Sequence, residues 1–522
     1  MTRELKFFLA FLLIIGVFFR FFNLDRKFYW YDETFTSLRI SGYTQTEVVQ
    51  QVTNGKVITI QDLMHYQRPN PEKSLIDTVK GLAIEEPQLT PLYFITARFW
   101  VMLFGHSVAG IRSLSALISL LAFPAIYWLC LELFSSPRIG WFAVALLAVS
   151  PFHVLYAQEA RPYSLWTVML LLSSASLLQA LRLNTICSWG VYLVTTILGF
   201  YTHLLSVLVF FGQALYVAII ERFRWTKTSA AFTFVSGAAL LSFIPWIVAV
   251  IANFHAAYRT TQWSKSKIHL LSLANNWAAN IGRLFFDFGM TSESPKYQLF
   301  LAIPVIFSLL IIVGYAIYFL CKNAPQNVGL FILISIGVTA SAIILPDLII
   351  GGIRSTKSRY LIPCYLSIQL AVAYLLASPF SFKYLNKKTL QIIAIAIFSS
   401  SIFSCAISSQ AQTWWTKESG SFNLSIARIV NQATRPLIIS HFSNYALNQT
   451  LPLSYLLEPK VRLLFIFKEN IPTIPNGFSH VFFTYPPGNL ILNQIKEKNS
   501  KYNIEKFYMK KNKILLVQFI ER

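Results

Sequence analysis

The feature that most constrains this chain is a succession of apolar segments, each long enough to cross the hydrocarbon core of a bilayer. A transmembrane helix needs about 20 predominantly apolar residues. Eleven segments of this kind cover approximately residues 5–22, 109–134, 139–157, 162–181, 187–202, 203–220, 229–251, 298–320, 327–346, 359–378 and 389–408. Because 55% of the residues are hydrophobic and only 13% are charged, the composition excludes a soluble enzyme, a disordered chain and a fibrous protein. We expect an all-α polytopic membrane protein with about eleven spans.

The basic residues predict which side of the membrane each loop faces. If the N-terminus is inside, every short inner loop contains Arg or Lys, as the positive-inside rule requires. These residues are Arg138, Arg182, Arg222, Arg224, Lys227, Lys322, Lys383, Lys387 and Lys388. Topology therefore explains the net charge of +22, and nucleic-acid binding is not expected because no basic stripe is interleaved with exposed aromatic residues. We expect a multi-pass protein of the cytoplasmic (inner) membrane, with its C-terminus on the outer, periplasmic side.

Two regions are predicted to lie outside the membrane. The first is a large loop over about residues 23–108, in which the apolar segment Pro91–Phe104 is too short to span and is placed as an interfacial helix. The second follows the last span, where short β-rich runs alternate with amphipathic stretches and turns. The runs are Leu437–Ile439, Val461–Phe467, His480–Phe483 and Ile514–Phe519. We expect a transmembrane domain with the candidate catalytic residues over 1–409 and a small soluble α/β domain of unknown role over 410–522.

Acidic residues are scarce, and the first candidate site is the pair Asp32-Glu33 within the aromatic stretch Phe28–Thr36. One interpretation is structural: Asp32 or Thr34 caps the helix that follows, and both carboxylates favour its dipole. The other is catalytic, with a general base held at the lipid–water boundary. The two interpretations are compatible, and both acidic residues are candidate catalytic residues.

Further charged side chains recur at the outer ends of the predicted spans. Glu159 and Arg161 lie in a tight turn between two spans, where charges near hydrocarbon are costly unless they are paired or used. Arg112 begins the second span and Arg359-Tyr360 the tenth, and the planar guanidinium suits phosphate oxygens. The alternative for Glu159 and Arg161 is a structural ion pair that ties two helix ends, and each cation alone is more often a snorkelling residue at the interface. Together they predict an outward-facing site for a ligand with a lipid tail and a phosphate head.

Two other residues are weaker candidates. His203 follows Tyr201-Thr202 between two spans, where it is either a hydrogen-bonded helix-end residue or a residue that lines the site. Glu86 precedes Pro87 in the first loop, where it is either solvated or a second carboxylate of the site.

In their order, these motifs resemble the GT-C glycosyltransferases of the dolichyl-phosphate-mannose protein mannosyltransferase-like superfamily, specifically the bacterial RgtA/B/C/D-like or aminoarabinose-transferase-like branch. The resemblance covers approximately residues 1–380. Besides Asp32-Glu33, it rests on Pro91-Leu92-Tyr93-Phe94, Leu103-Phe104-Gly105, Arg112-Ser113-Leu114-Ser115-Ala116, Ser150–Ser164, Tyr201-Thr202-His203 and Ser358–Pro363.

The resemblance implies a GT-C membrane glycosyltransferase that moves a sugar from a polyprenyl-phosphate carrier to a lipid, glycan or protein acceptor outside the membrane. It implies that Asp32 deprotonates or orients the acceptor. It also implies that Arg112 and Arg359-Tyr360 bind the carrier phosphate. The predicted substrate-binding set is completed by Glu159, Arg161 and His203.

One departure from the family concerns metal binding. Relatives commonly have His-Pro-Pro-Leu-Tyr, whereas this chain has Leu89-Thr90-Pro91-Leu92-Tyr93, so a histidine available to a metal or substrate is missing. The resemblance therefore implies no certain cofactor. If a divalent metal is bound, Glu86 and His203 are the candidate ligands.

Two functions from other classes are alternatives to a glycosyltransferase. A lipid or sugar transporter or flippase typically has broken helices in paired repeats and ionisable residues near the midplane, whereas here the charges lie at span ends and no repeat is visible. A non-catalytic envelope scaffold would bind glycans through its outer domain and tolerate loss of the acidic pair. The sequence has no Walker or dinucleotide motif, which is consistent with a donor already activated as a lipid phosphate.

Overall fold

The computed structural model describes residues 2–291, 294–378, 387–441, 444–466, 473–486, 489–499, 501–510 and 513–521. Lys383 of a predicted inner loop and Phe467 at the end of a predicted strand lie outside these residues. In chain order, the α-helices are α1 (Arg3–Phe21), α2 (Tyr31–Ser41), α3 (Gln45–Val52), α4 (Ile60–His65), α5 (Leu75–Glu85), α6 (Leu92–Phe104), α7 (Val108–Leu120), α8 (Ala122–Phe134), α9 (Pro137–Val149), α10 (Pro151–Ala157), α11 (Tyr163–Leu183), α12 (Ile186–Thr202), α13 (Ser206–Ile220), α14 (Lys227–Ala252), α15 (Phe254–Thr261), α16 (Leu270–Gly282), α17 (Lys296–Asn323), α18 (Gln326–Ile349), α19 (Ile362–Ala377), α20 (Lys387–Gln410), α21 (Asn423–Gln432), α22 (Asn444–Ser454) and α23 (Asn489–Lys498). The strands are β1 (Val57–Thr59), β2 (Pro436–His441), β3 (Arg462–Ile466), β4 (His480–Thr484), β5 (Tyr502–Lys510) and β6 (Lys513–Glu521). Short 3-10 helices cover Gln262–Lys265, Arg354–Thr356, Ser358–Leu361 and Trp415–Gly420.

The chain forms two compact units whose segments alternate along the sequence. The helical unit consists of Met1–Leu24, Leu82–Thr96 and Ala109–Ala411. The α/β unit consists of Asp25–Gly81, Ala97–Val108 and Gln412–Arg522. The functional boundary expected after residue 409 stays a prediction.

The helical unit contains the membrane spans. Within the described residues, seven helical segments are long and apolar enough to cross a bilayer, or eight if the bent pair α9–α10 is one span. The other three predicted spans are also helices, namely α1, α12 and α13. The predicted class, a polytopic helical membrane protein, is confirmed.

The break between α9 and α10 explains how a buried arginine is accommodated among the spans. Pro151 has no N–H, so the two helices meet at 60° and carbonyl groups at the end of α9 lose their helical donors. The fully buried Arg20 guanidinium donates to two of these oxygens, those of Ala148 and, at 3.0 Å, Leu147. Its positive side chain thus supplies hydrogen bonds that lipid cannot.

The α/β unit is built on a six-stranded sheet in the order β1-β3-β2-β4-β6-β5. Strand β2 is parallel to β3 and β4, whereas β1 with β3, β4 with β6, and β5 with β6 are antiparallel. The predicted β-rich runs correspond to β2, β3, β4 and β6, so the predicted small α/β region is confirmed. Strand β1 was not predicted: it comes from the first loop and pairs with β3 from the C-terminal region.

Both faces of this sheet are covered by hydrophobic residues. In β2, Ile438 faces one core, while Leu437 and Ile439 face the other, because successive strand residues point to opposite faces. The first core also contains Leu38 and Leu63 of the first loop. The first loop and the C-terminal region therefore share one hydrophobic core.

This shared core predicts that a change in the first loop destabilises the C-terminal region. Leu63 is fully buried, so Leu63→Ala should lower the free energy of unfolding of the α/β unit by about 2–5 kcal/mol. The measurement is the rate of limited proteolysis within residues 412–522, which should rise. The control is Ile76→Ala, whose side chain is 63% exposed; equal cleavage of the two variants would contradict a shared core.

Candidate active site

Three segments of the helical unit bring charged and aromatic side chains together. We call this group the arginine–tyrosine cluster; it consists of Tyr156, Arg161, Tyr163, His203, Arg359 and Tyr360. The Arg359 guanidinium carbon lies 5.7 Å from the ring centroid of Tyr163 and 5.6 Å from that of Tyr360. The His203 ring lies 6.2 Å from Tyr163 and 6.4 Å from Tyr360. Motifs almost 200 residues apart thus converge.

Two kinds of residue make up the arginine–tyrosine cluster. Tyr156 and Tyr163 are buried, with ring centroids 5.1 Å apart. Tyr360, His203 and Arg359 are only half-buried. Arg161 is buried as well, so His203, Arg359 and Tyr360 are the more exposed members of the cluster.

The His203 ring is oriented by its neighbours in the linker between α12 and α13. It stacks on Trp166 with ring centroids 4.1 Å apart and an interplanar angle of 15°. Its Nδ1 accepts a hydrogen bond from the backbone N–H of Leu205 at 3.2 Å. Arg161 and Arg359 both act on the ring electrostatically. The hydrogen bond agrees with the helix-end interpretation of His203, and a role of His203 in lining a site stays a prediction.

A buried aspartate organises the loop that leads to Arg359. The Asp347 carboxylate, which has no solvent exposure, accepts from the Ser355 N–H at 2.7 Å, the Ser355 hydroxyl at 2.8 Å and the Arg354 guanidinium at 3.0 Å. Gly351, with φ +88°, supplies the left-handed turn that brings the loop back toward Asp347. The start of α19 is thereby fixed.

Three further hydrogen bonds connect the family motifs within the helical unit. The Tyr156 hydroxyl lies 3.1 Å from the Ser358 hydroxyl, which joins α10 to the 3-10 helix Ser358–Leu361. The Ser115 hydroxyl lies 2.9 Å from the Tyr93 hydroxyl and donates to the Arg161 carbonyl oxygen at 3.4 Å. The segments that carry the predicted site are therefore held by side chains of the same motifs.

Arg112 and Glu159 are both fully buried in the helical unit. Arg112 donates to the Leu24 carbonyl oxygen at 2.7 Å, at the point where the helical unit's first segment ends. Glu159 acts electrostatically on Tyr156. Both residues thus lie within the protein framework, and their contact with a substrate stays a prediction.

The acidic pair belongs to the α/β unit and lies in the first turn of α2. The N-cap residue is Trp30, whose side chain makes no capping bond, and the helix begins at Tyr31. The expectation that Asp32 or Thr34 caps this helix is therefore wrong. The helix dipole still favours Asp32 and Glu33 in this turn.

Glu33 is joined to the C-terminal region by a buried ion pair. Its carboxylate accepts from the Lys417 ammonium at 2.6 Å across 384 residues of sequence, and both side chains have no solvent exposure. The ammonium also lies 5.4 Å from the Trp30 ring centroid. Asp32 retains 9% exposure.

The aromatic stretch before the acidic pair contacts the C-terminal region at further points. The Phe28 N–H donates to the Gln412 carbonyl oxygen at 2.9 Å. The Tyr29 ring lies 4.6 Å from the Tyr455 ring, and its hydroxyl lies 2.7 Å from that of Ser37. The first loop motif is thus held by both its own helix and the C-terminal region.

The described residues do not offer an evident metal centre. No group of three or more His, Cys, Asp or Glu side chains suited to a metal ion occurs in that part of the chain. Glu86 is half-buried, and one nitrogen of His203 accepts the Leu205 hydrogen bond. The binding of a divalent metal by Glu86 and His203 stays a prediction.

Sequence reasoning missed three residues of these arrangements. Tyr156 and Tyr163 lie inside the quoted motif Ser150–Ser164, and their spacing around the charged turn was the available signal. Lys417 had no local signal, because its role depends on a partner in the first loop.

The fold and these side chains define a multi-pass helical membrane protein that also has an α/β unit. The sequence model of the dolichyl-phosphate-mannose-protein mannosyltransferase family matches residues 86–248, a range that contains Arg112, Glu159, Arg161 and His203. No curated protein matches the sequence.

Two solved structures are similar over nearly the whole chain. ArnT from Cupriavidus metallidurans bound to undecaprenyl phosphate matches with a TM-score of 0.55 and 12% identity, covering 98% of each chain. The apo state of ArnT from the same organism matches with a TM-score of 0.54 and 11% identity, covering 99% of this chain and 98% of that one. With the family match, this likeness confirms the predicted resemblance to the mannosyltransferase-like GT-C superfamily.

The hydrogen bonds of Asp347 predict a local loss of stability when its carboxylate is removed. Asp347→Ala leaves a buried backbone N–H and a hydroxyl without their acceptor, which should cost about 1–3 kcal/mol. The measurement is the thermal unfolding midpoint of the purified protein in detergent. Ser355→Ala removes only one of the bonds and should cost less; an Asp347→Ala midpoint equal to or above that of Ser355→Ala would contradict the assignment.

Proposed function

We propose that this protein is a membrane glycosyltransferase that moves a sugar from a polyprenyl-phosphate carrier to an acceptor outside the cytoplasmic membrane. The observation that carries the proposal is the arginine–tyrosine cluster, in which separate motifs of the helical unit converge on two guanidinium groups. The match to a mannosyltransferase family and the likeness to an ArnT structure bound to undecaprenyl phosphate support it.

In this proposal, Arg359 and Arg161 stabilise the leaving phosphate. As the bond between the sugar and the phosphate oxygen breaks, negative charge grows on the phosphate, and fixed hydrogen-bond donors lower the energy of that state. Arg359 is held near the faces of Tyr163 and Tyr360, so its guanidinium needs little reorganisation when the donor binds. Arg112 is a further candidate for the phosphate.

The proposed general base is Asp32. The acceptor hydroxyl oxygen attacks the anomeric carbon, its proton passes to the Asp32 carboxylate, and the carrier phosphate leaves with the electron pair of the broken bond. Attack from the face opposite the phosphate inverts the anomeric configuration. Base assistance of this kind typically accelerates a reaction about 10²–10⁴-fold.

The proposed location follows from the charge distribution of the loops. With the N-terminus inside the cytoplasmic membrane and the C-terminus outside, the acidic pair and the C-terminal region face the outer side. Residues 1–409 would supply the catalytic domain, and residues 410–522 an outer-face domain. The acceptor is a lipid, a glycan or a protein.

The function can be tested directly with defined donors. Purified protein in liposomes would be incubated with a panel of polyprenyl-phosphate hexoses and pentoses, together with membrane lipid and glycan fractions as acceptors. We expect release of free polyprenyl phosphate with at least one donor. The absence of release across the panel would contradict the proposed function.

Replacement of the base should remove transfer without affecting the fold. Asp32→Asn keeps the size of the side chain but cannot accept the acceptor proton, so kcat should fall by about 10²–10⁴-fold. The measurement is release of carrier phosphate at saturating donor, with membrane insertion checked in parallel. Asp62→Asn, an exposed capping residue of α4, is the matched control, and wild-type turnover by the Asp32 variant would eliminate the base assignment.

Replacement of Arg359 should weaken donor use. Arg359→Gln removes a charged donor to the phosphate, and we expect kcat/KM for the donor to fall by at least about tenfold. Arg182→Gln is the control, because Arg182 is 58% exposed and its guanidinium pairs with the Glu132 carboxylate. Equal kcat/KM values for the two variants would contradict a role of Arg359 at the phosphate.

A further inference from the structure

The two members of the acidic pair have different surroundings, which suggests different roles. Resting on the proposed function, we propose that Lys417 is a positioning residue: it holds Glu33, and with it the first turn of α2, so that Asp32 alone serves as the base. The C-terminal region would then contribute directly to the arrangement of the catalytic residue.

The contact between Glu33 and Lys417 is close and fully buried. The ammonium nitrogen lies 2.6 Å from the carboxylate oxygen, and neither side chain is exposed. Burial removes the hydration of both charges, and the mutual attraction and hydrogen bonding of the pair offset that loss. The adjacent Trp30 ring, 5.4 Å from the ammonium, adds a further favourable contact for the cation.

This contact argues against Glu33 as the base. To accept a proton from an acceptor, the Glu33 carboxylate would have to give up its negative charge, and with it the attraction to the buried Lys417 ammonium. Asp32 retains some exposure, whereas Glu33 has none. The structure therefore favours Asp32 for chemistry and Glu33 for anchoring.

Glu33 and Asp32 are coupled through the backbone of one helical turn. The N–H groups of Glu33 and Thr34 both donate to the Trp30 carbonyl oxygen at 3.0 Å. The Thr36 hydroxyl donates to the Asp32 carbonyl oxygen at 3.2 Å. Because these residues share a turn, a shift of the Glu33 anchor also changes the direction of the Asp32 side chain.

Lys417 itself lies in a closely packed segment. Its 3-10 helix ends at Gly420, where an added Cβ would lie 3.3 Å from the Phe28 ring. The Phe28 N–H also donates to the Gln412 carbonyl oxygen. The segment 412–420 is therefore placed against the residues that lead into α2. This contact fixes the backbone from which the Lys417 side chain extends.

The same unit offers a matched control pair. Lys73 and Glu47 are also 2.6 Å apart, but their side chains are 18% and 37% exposed. Burial raises the pKa of Glu47, whereas hydrogen bonds from Lys73 and Thr44 lower it. The pKa of Glu47 therefore lies below that of an ordinary glutamate. Lys73–Glu47 is thus an ion pair of the same two residue types as Glu33–Lys417. It differs in being partly exposed and in not including a residue of the acidic pair Asp32-Glu33.

The first test is Lys417→Met in the full-length protein, with Lys73→Met as the control. Misplacement of a catalytic group typically costs about 100-fold, so kcat of Lys417→Met should fall by that order while the donor KM changes by less than about threefold. Lys73→Met should keep wild-type kcat. A Lys417→Met enzyme with wild-type kcat would overturn the inference and leave the proposed function intact.

The second test separates positioning from folding. Glu33→Gln/Lys417→Met removes both buried charges, so its thermal unfolding midpoint should recover relative to Lys417→Met alone. Its kcat should stay low, because the anchor is still absent. Recovery of both the midpoint and kcat would show a purely structural pair and overturn the inference. If the wild-type protein transfers no sugar from any donor, the proposed function and the inference fall together.

Discussion

An ion pair that is out of contact with water joins the first loop to the C-terminal region within the α/β unit. Glu33 and Lys417 are separated by 384 residues, and each offsets part of the hydration that the other loses on burial. The first loop and the C-terminal region must therefore fold together. The pairing of β1 with β3 and the core shared by Leu38 and Leu63 are consistent with this requirement.

In the helical unit, the charged side chains of Arg20 and Arg359 also depend on partners that the protein provides. Arg20 satisfies carbonyl oxygens freed where Pro151 ends a helix, and Arg359 is placed near two aromatic faces by a loop that Asp347 organises. In each case, the partners of the charged group come from the protein and are in place before a ligand binds. Such preorganisation is what stabilisation of a developing phosphate charge requires.

The sequence allowed prediction of those features that depend on local patterns. Hydropathy predicted the spans, and clusters of β-rich residues predicted four strands. The scarcity of charge in apolar surroundings pointed to Arg161, Arg359 and His203, which the helical unit brings together. Strand β1 was not predictable, because three residues carry no periodic signal and depend on β3 for pairing. The partnership of Lys417 was missed for the same reason: its cause is a distant residue rather than its neighbours in sequence.

The most direct measurement follows the bond between sugar and carrier in sealed liposomes that contain the protein, one labelled donor and its acceptor. We expect bond cleavage: free polyprenyl phosphate and glycosylated acceptor should form in equal amounts, and the product should have the inverted anomeric configuration. Movement of the intact donor across the bilayer, with the sugar–phosphate bond preserved, would contradict the account and indicate a transporter.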